Sequence, residues 1–314
     1  MRLTLIAPCL LLAFAADLHA QDVSLLAGQL KVNNSDEHSF AAALSYAHPV
    51  GEYAALSLTY LNEGHPLDHH RDGVSGQAWL RSKKNDAGLS FGIGAGPYYY
   101  FDTARSAVNG YHNDHGWAPM YSVQASWHFP SNWYAQVQAN RVFPNGKDAT
   151  TQFLIGAGYR FDGVPGNKLH LNGTSNEDTL TVSGGQTIVN SFDSERSRAF
   201  SVEYRRALAP YVDWTVTWLK EGTTARTRRS GVASQGWLIR SLNSKVELGM
   251  GVGAYAAFDL HDVDQRQSHL AGLVSIAARY HFQQRWVGQL SWNRVVTDYH
   301  RDADVLLLGL GAAF

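Results

Sequence analysis

Apolar and polar residues alternate with a period of two along most of this chain, in runs of about ten residues divided by polar connections. A period of two puts successive side chains on opposite faces of an extended strand. Eight such strands are expected near residues 23–32, 40–47, 53–62, 73–82, 88–102, 118–129, 133–142 and 151–161. Eight more are expected near 179–190, 200–207, 211–220, 231–241, 246–259, 270–282, 286–296 and 304–314. In the fifth, Leu89, Phe91, Ile93, Ala95, Tyr99 and Phe101 share one face, and Ser90, Gly92, Gly94, Gly96, Tyr98, Tyr100 and Asp102 the other. The thirteenth repeats the arrangement, with Leu248, Met250, Val252, Ala254 and Phe258 opposite Gly249, Gly251, Gly253, Tyr255 and Asp259.

That echo runs through the whole chain. The stretch from Tyr53 to Arg81 returns near Tyr211 to Arg240, and a constant offset of 158 sets Glu63-Gly64 on Glu221-Gly222, Arg71 on Arg229, and Gln77 with Trp79 on Gln235 with Trp237. The chain is a duplication of one eight-strand unit, with repeats expected at 21–161 and 179–314. The intervening 162–178, which include Pro165, Gly166, Asn167, Asn172 and Gly173, read as a periplasmic linker.

Connections alternate in length: 48–52, 83–86 and 130–132 are short, whereas 63–72, 103–117 and 143–150 are longer and polar. Short turns at one end and long loops at the other describe an antiparallel transmembrane β-barrel, with apolar residues turned out to lipid and small or polar ones turned in. A water-soluble sandwich has no reason to keep that asymmetry. The long linker favours two eight-stranded barrels in tandem, and one sixteen-stranded barrel is the alternative.

Composition narrows the setting. Residues 1–20 have the charge, apolar stretch and small end of a secretory leader, and the only cysteine, Cys9, lies within it. After the leader no apolar run is long enough for a membrane helix. The formal net charge of −1 offers no electrostatic case for nucleic acid. No cofactor is implied.

The last run, Val305 to Phe314, closes on a terminal phenylalanine, and in this it resembles the assembly signal of bacterial outer-membrane β-barrels. The resemblance is to that superfamily and covers the chain beyond the leader. It implies residence in the outer membrane of a Gram-negative bacterium, insertion by the barrel-assembly machinery through the C-terminal strand, and contact with outer-membrane lipid and lipopolysaccharide.

By strand parity Glu63, Arg71, Gln77, Tyr98, Asp102 and Asn140 face the lumen, as do their counterparts Glu221, Arg229, Gln235, Tyr255, Asp259 and Asn293. A structural network of ion pairs and hydrogen bonds is one reading, and a grip on a sugar or phosphate the other. Arg141 and Arg294 point outward near the rim, where an arginine can pair with lipopolysaccharide phosphate or reach into the loops. His65, His70, Asp72 and Asp102 join Glu63 as candidate catalytic groups, and His69, His70, His112 and His115 are candidate metal ligands, although their spacing matches no tight metal motif.

Eight-stranded outer-membrane families include lipid A deacylases and palmitoyltransferases. This chain is similar to them in size per repeat and strand layout. Where the deacylases carry a histidine followed at the second position by serine-asparagine, the chain has Gln138-Ala139-Asn140-Arg141 and Ser291-Trp292-Asn293-Arg294, a departure that speaks against such a serine hydrolase. A carboxylate pair of Glu63 with Asp72 or Asp102 leaves glycosidase-like chemistry open. The reading favoured is a non-enzymatic module that contacts lipopolysaccharide or surface polysaccharide. A hydrolase or acyltransferase acting through the first mouth is the alternative, and a porin-like channel is a second, tied to sixteen strands.

Overall fold

The computed structural model describes residues 21–66, 68–82, 88–107, 110–161, 178–209, 211–242, 244–262, 265–282 and 285–314, with 260–262 and 265–267 described by backbone alone. The leader expected over 1–20 and, apart from Asp178, the linker expected over 162–178 lie outside the described residues.

Sixteen antiparallel strands form two closed barrels of eight. The first comprises β1 (Gln21–Val32), β2 (His38–Pro49), β3 (Ala54–Asn62), β4 (His69–Arg81), β5 (Gly88–Ser106), β6 (Gly110–His128), β7 (Trp133–Val142) and β8 (Thr150–Phe161). The second comprises β9 (Thr179–Val189), β10 (Arg196–Ala209), β11 (Val212–Thr223), β12 (Arg228–Ser241), β13 (Val246–Asp262), β14 (Gln265–His281), β15 (Trp286–Val296) and β16 (Ala303–Ala313). Closure falls within each repeat: β1 pairs with β8 along its full length, and β9 pairs with β16. Each sheet thereby satisfies its own edge hydrogen bonds. The sixteen-stranded alternative is excluded, and with it the channel that depended on its width.

The apolar face is outside. Phe91 is 56% exposed, Ile155 66% and Leu308 69%, values that would be untenable for so many large side chains in water. Aromatic rows bound this band in the first barrel, with Tyr99, Trp117, Tyr121 and Phe143 toward the long loops and Trp127, Trp133, Tyr159 and Phe161 toward the short turns. The band is a lipid-facing surface with its interfacial girdles, and the strand parts between the two rows are the membrane-spanning ones.

Eight strands leave an interior only as wide as the side chains that fill it. Polar groups do not fill it alone. Leu26, Leu30, Leu61, Met120 and Leu154 form an apolar layer inside the first barrel, and Leu219, Leu273, Val305 and Leu307 one inside the second. Trp79 and Trp237 also turn inward, donating their indole N–H to Ser57 (2.8 Å) and Thr215 (2.9 Å). The room for each indole comes from a glycine on the neighbouring strand: a Cβ at Gly94 or Gly251 would stand 2.6 Å from the ring.

One hairpin of each barrel, β5–β6 and likewise β13–β14, runs on beyond expectation. Residues 103–117 read as a loop, yet β5 continues to Ser106 and β6 resumes at Gly110, so the pair rises well above the Tyr99–Trp117 row. Above the bilayer the outward face no longer meets hydrocarbon, the alternation fades, and a strand looks like a polar loop.

Candidate functional site

The tall hairpin and its neighbours build the mouth of the first barrel. Register sets two inward rows there: His69 of β4, Ala104 of β5 and His112 of β6, and beneath it Arg71, Asp102 and Asp114. Lys147, from the β7–β8 loop, reaches across to Asp102 (2.7 Å) and Asp114 (3.0 Å). His69 Nδ1 meets Asp102 at 3.1 Å, and His112 Nε2 meets Asp114 at 3.3 Å.

Deeper, Arg71 donates to Glu63 (2.7 Å) and Thr150 (3.1 Å), and Thr150 donates to Glu63 (2.7 Å). Glu63 owes its inward aim to the residue after it. Gly64 takes a φ of 70° and donates its N–H to Asn62, in a turn where a Cβ would collide with the Phe40 carbonyl. The second barrel repeats the device with Gly222 at φ 85° beside Glu221. There the pair is a full fork, Arg229 Nε and Nη2 each donating to a Glu221 oxygen at 2.6 Å. Both barrels then continue downward through an amide–hydroxyl chain. Gln77 donates to Ser122 (2.9 Å) and Ser122 to Asn140 (2.7 Å), matched by Gln235 to Ser275 (3.0 Å) and Ser275 to Asn293 (2.7 Å). Tyr98 and Tyr255 are fully buried beside these networks.

The candidate groups divide between the faces of the wall. His69, His112, Asp102 and Glu63 point in. Asp72 is buried on the outer side, where it accepts the Tyr60 hydroxyl at 2.7 Å, so a working pair with Glu63 does not form across the lumen. His65 and His70 stack on each other outside, ring centres 4.3 Å apart, with Phe40 beyond His65 at 6.0 Å. His115 lies against Phe101, centroids 6.0 Å apart. Among the described residues no three histidine, cysteine or carboxylate side chains come together to hold a metal, and His69, His70, His112 and His115 do not converge.

Charge in the mouth is tightly tied. Burial alone would raise the Asp102 pKa, but hydrogen bonds from His69 and Lys147 overrule it and hold the carboxyl down at about 2. Burial pulls Lys147 down, and the two carboxylates win, leaving it above its usual value. The hydrogen bond to Asp102 raises His69.

The two mouths differ. Tyr299 of the β15–β16 loop stacks on His269 (4.1 Å) and accepts from Arg229 (3.0 Å), while Arg301 gives its carbonyl to Arg229 (3.0 Å) and its guanidinium to Asp259 (3.5 Å). In the first barrel Gly116 holds the place of His269, and a cavity of about 1090 Å³ opens among His69, Arg71, Asp102, Arg105, Asp114 and Lys147. The rim arginines also part company: Arg141 is exposed, its guanidinium 5.1 Å from the Phe143 ring, whereas Arg294 is 3% exposed and forked onto Asp304 (2.7 and 3.2 Å).

Several working residues escape a reading of shared positions. Lys147 and Thr150 belong to a loop and its edge. The ion network at the turn end of the second barrel links Glu203, Arg205, Asp213, Glu247 and Arg279 over 3.0–4.0 Å, and it has alanine or serine at the matching places of the first repeat. Parity of the second repeat taken alone would have found it. His128 and His281 share the same level, His128 hydrogen-bonded to Ser90 (3.0 Å) and His281 Nε2 lying 3.2 Å from Glu247.

No protein-family model and no curated protein matches the sequence. Among solved structures, the chain is similar to the N-terminal β-barrel domain of Pseudomonas aeruginosa OprF, at 16% identity and a TM-score of 0.37, over 44% of this chain and 96% of that one. It is similar to the attachment invasion locus protein Ail of Yersinia pestis, solved with the heparin analogue sucrose octasulfate, at 16% identity and a TM-score of 0.34, over 44% and 99%. It is also similar to the KdgM porin, at 9% identity and a TM-score of 0.20, over 94% and 99%.

Proposed function

We propose that the chain is an integral outer-membrane protein whose first barrel holds the sugar portion of lipopolysaccharide or surface polysaccharide without chemical conversion, beside a second barrel that is scaffold. The cavity of the first mouth, at a level where the second has Tyr299 stacked on His269 and Arg301 drawn to Asp259, carries this reading. Carboxylates, cations and histidines around the cavity suit a hydroxyl-rich ligand, which offers donors and acceptors together. Glu37, Asp68, Asp102, Asp114 and Asp148 outnumber Arg71, Arg105 and Lys147 around the cavity, so neutral or amino sugars are favoured over polyanions. The fold supports the location, since a closed strand barrel with a lipid-facing band is the form in which β-structure crosses a membrane.

The role of general acid in hydrolysis is disfavoured for Asp102. A general acid for glycoside cleavage needs a carboxyl held neutral near working pH, and Asp102 is held ionised, at about 2. The test is calorimetric titration of the detergent-solubilised full chain with deacylated lipopolysaccharide core oligosaccharide. The native protein binds, Asp102→Asn and Lys147→Ala each weaken binding about tenfold, the loss of one charge-assisted contact, and Arg226→Ala in the second mouth changes nothing. Equal binding by all variants, or cleaved sugar by mass spectrometry, refutes the proposal.

A further inference from the structure

At the upper end of the first barrel four outward residues stand in one hydrogen-bond row. Arg141 of β7 pairs with Thr151 of β8, Thr151 with Lys31 of β1, and Lys31 with His38 of β2. Arg141, Lys31 and His38 are exposed, and Thr151 donates its hydroxyl to Asn33 at 2.8 Å. Two residues nearer the short turns the same strands present Ala139, Phe153, Gln29 and Phe40, with Phe153 65% and Phe40 52% exposed. The cations therefore stand just beyond the apolar band, at the level where lipid chains give way to headgroups.

The homologous row of the second barrel reads Arg294, Asp304, Ile188 and Arg196. Asp304 replaces Thr151 and Ile188 replaces Lys31, so one arginine is closed onto a carboxylate and the facing cation is gone. The same scaffold thus sets Arg141, Lys31 and His38 in a row with a threonine once, and an arginine–carboxylate pair beside an isoleucine once.

We infer that the row of Arg141, Thr151, Lys31 and His38 is a docking site for the phosphate of a phosphorylated outer-leaflet glycolipid. Arg141 and Lys31 flank Thr151 from either side, about 10 Å apart as two strand spacings, within joint reach of one phosphate seated over the threonine. Guanidinium and ammonium groups at an interface recognise phosphate by charge-assisted hydrogen bonds. The apolar row beneath would take the acyl chains of the same molecule. The inference rests on the proposed membrane placement and is independent of the sugar-holding mouth.

The probes are bis-phosphorylated lipid A, the same lipid stripped of phosphate, and phosphatidylglycerol, each titrated into the full chain in zwitterionic micelles. Phosphorylated lipid A binds at least about tenfold more tightly than either other lipid, as expected for lost charge-assisted contacts. Thr151→Asp, which copies Asp304, removes that preference, as does Lys31→Ala with Arg141→Ala. Retained migration of the unheated protein on a gel shows that these surface variants fold. Asp304→Thr with Ile188→Lys adds a second binding equivalent. Equal affinity for the phosphorylated and stripped lipids, equal affinity for phosphatidylglycerol, or an unchanged preference in folded Thr151→Asp overturns the inference. Binding of the lipid-free oligosaccharide reads the mouth separately, so the two proposals can fail independently.

Discussion

Two buried pairs show at single-residue scale how the lumen is held. Glu221 and Arg229 are each 1% exposed and joined by two 2.6 Å bonds, so removing either strands the other. Arg229→Ala is expected to cost about 3–5 kcal/mol in urea unfolding from vesicles, whereas a variant that replaces both residues with apolar ones costs much less. Gly94 and Trp79 are coupled by volume. Gly94→Ala places a methyl 2.6 Å from the indole and destabilises the first barrel, and the same change in a Trp79→Ala background costs less, which a double-mutant cycle reads directly. The Asp102 cluster sets a pH window. The His69 pKa is raised above 6.5, so its bond contributes fully below 6.5 and fades as pH rises through the raised value. The Asp102 pKa is lowered, so its contribution is present above 3.8 and is lost as pH falls through about 2. The cluster is complete between those limits. An NMR titration of the His69 ring is expected to show a midpoint above 6.5 in the native protein and a return toward 6.5 in Asp102→Asn.

At the scale of the strand, the account turns on which face meets lipid. Ile155 is 66% exposed and lies between the aromatic rows, so Ile155→Arg is expected to cost about 2–4 kcal/mol, measured by the same unfolding from vesicles. Ile155→Leu keeps the apolar contact and leaves stability nearly unchanged. Strands of this kind are legible in sequence because each residue must choose between hydrocarbon and lumen. The faces of β13, and of β5 as far as Tyr99, follow that choice, whereas Phe101, above the aromatic row, is buried against His115, and parity also sends Glu63, Arg71, Gln77, Tyr98, Asp102 and Asn140 inward together. Above the bilayer the choice disappears. Neither the extension of β5 and β6 nor the separation of His69 from His65 and His70 can be read from a stretch in which both faces are polar. The inward Trp79 and the apolar layer around Leu26 and Met120 escape the simple rule because a narrow lumen packs like a core.

Duplication at the scale of the whole molecule produced two barrels with one frame and different fillings. The shared elements, Glu63 with Arg71 and Gln77 with Ser122 and Asn140, recur as Glu221 with Arg229 and Gln235 with Ser275 and Asn293. They support the wall wherever it exists. The differences fall at the mouth, the rim row and the ion network at the turn end, where one copy was free to change while the other kept the frame. Everything depends on each repeat closing upon itself. Residues 21–314 contain no cysteine, so an introduced pair reports that closure without interference. Leu25 and Ala157 are register partners across the β1–β8 seam. Oxidative cross-linking of the folded full chain carrying Leu25→Cys and Ala157→Cys is predicted to give a disulfide, and Leu25→Cys with Leu310→Cys, the place on β16 that matches Ala157, none. A bond joining β1 to β16 in the second pair, with none in the first, would contradict two separately closed barrels.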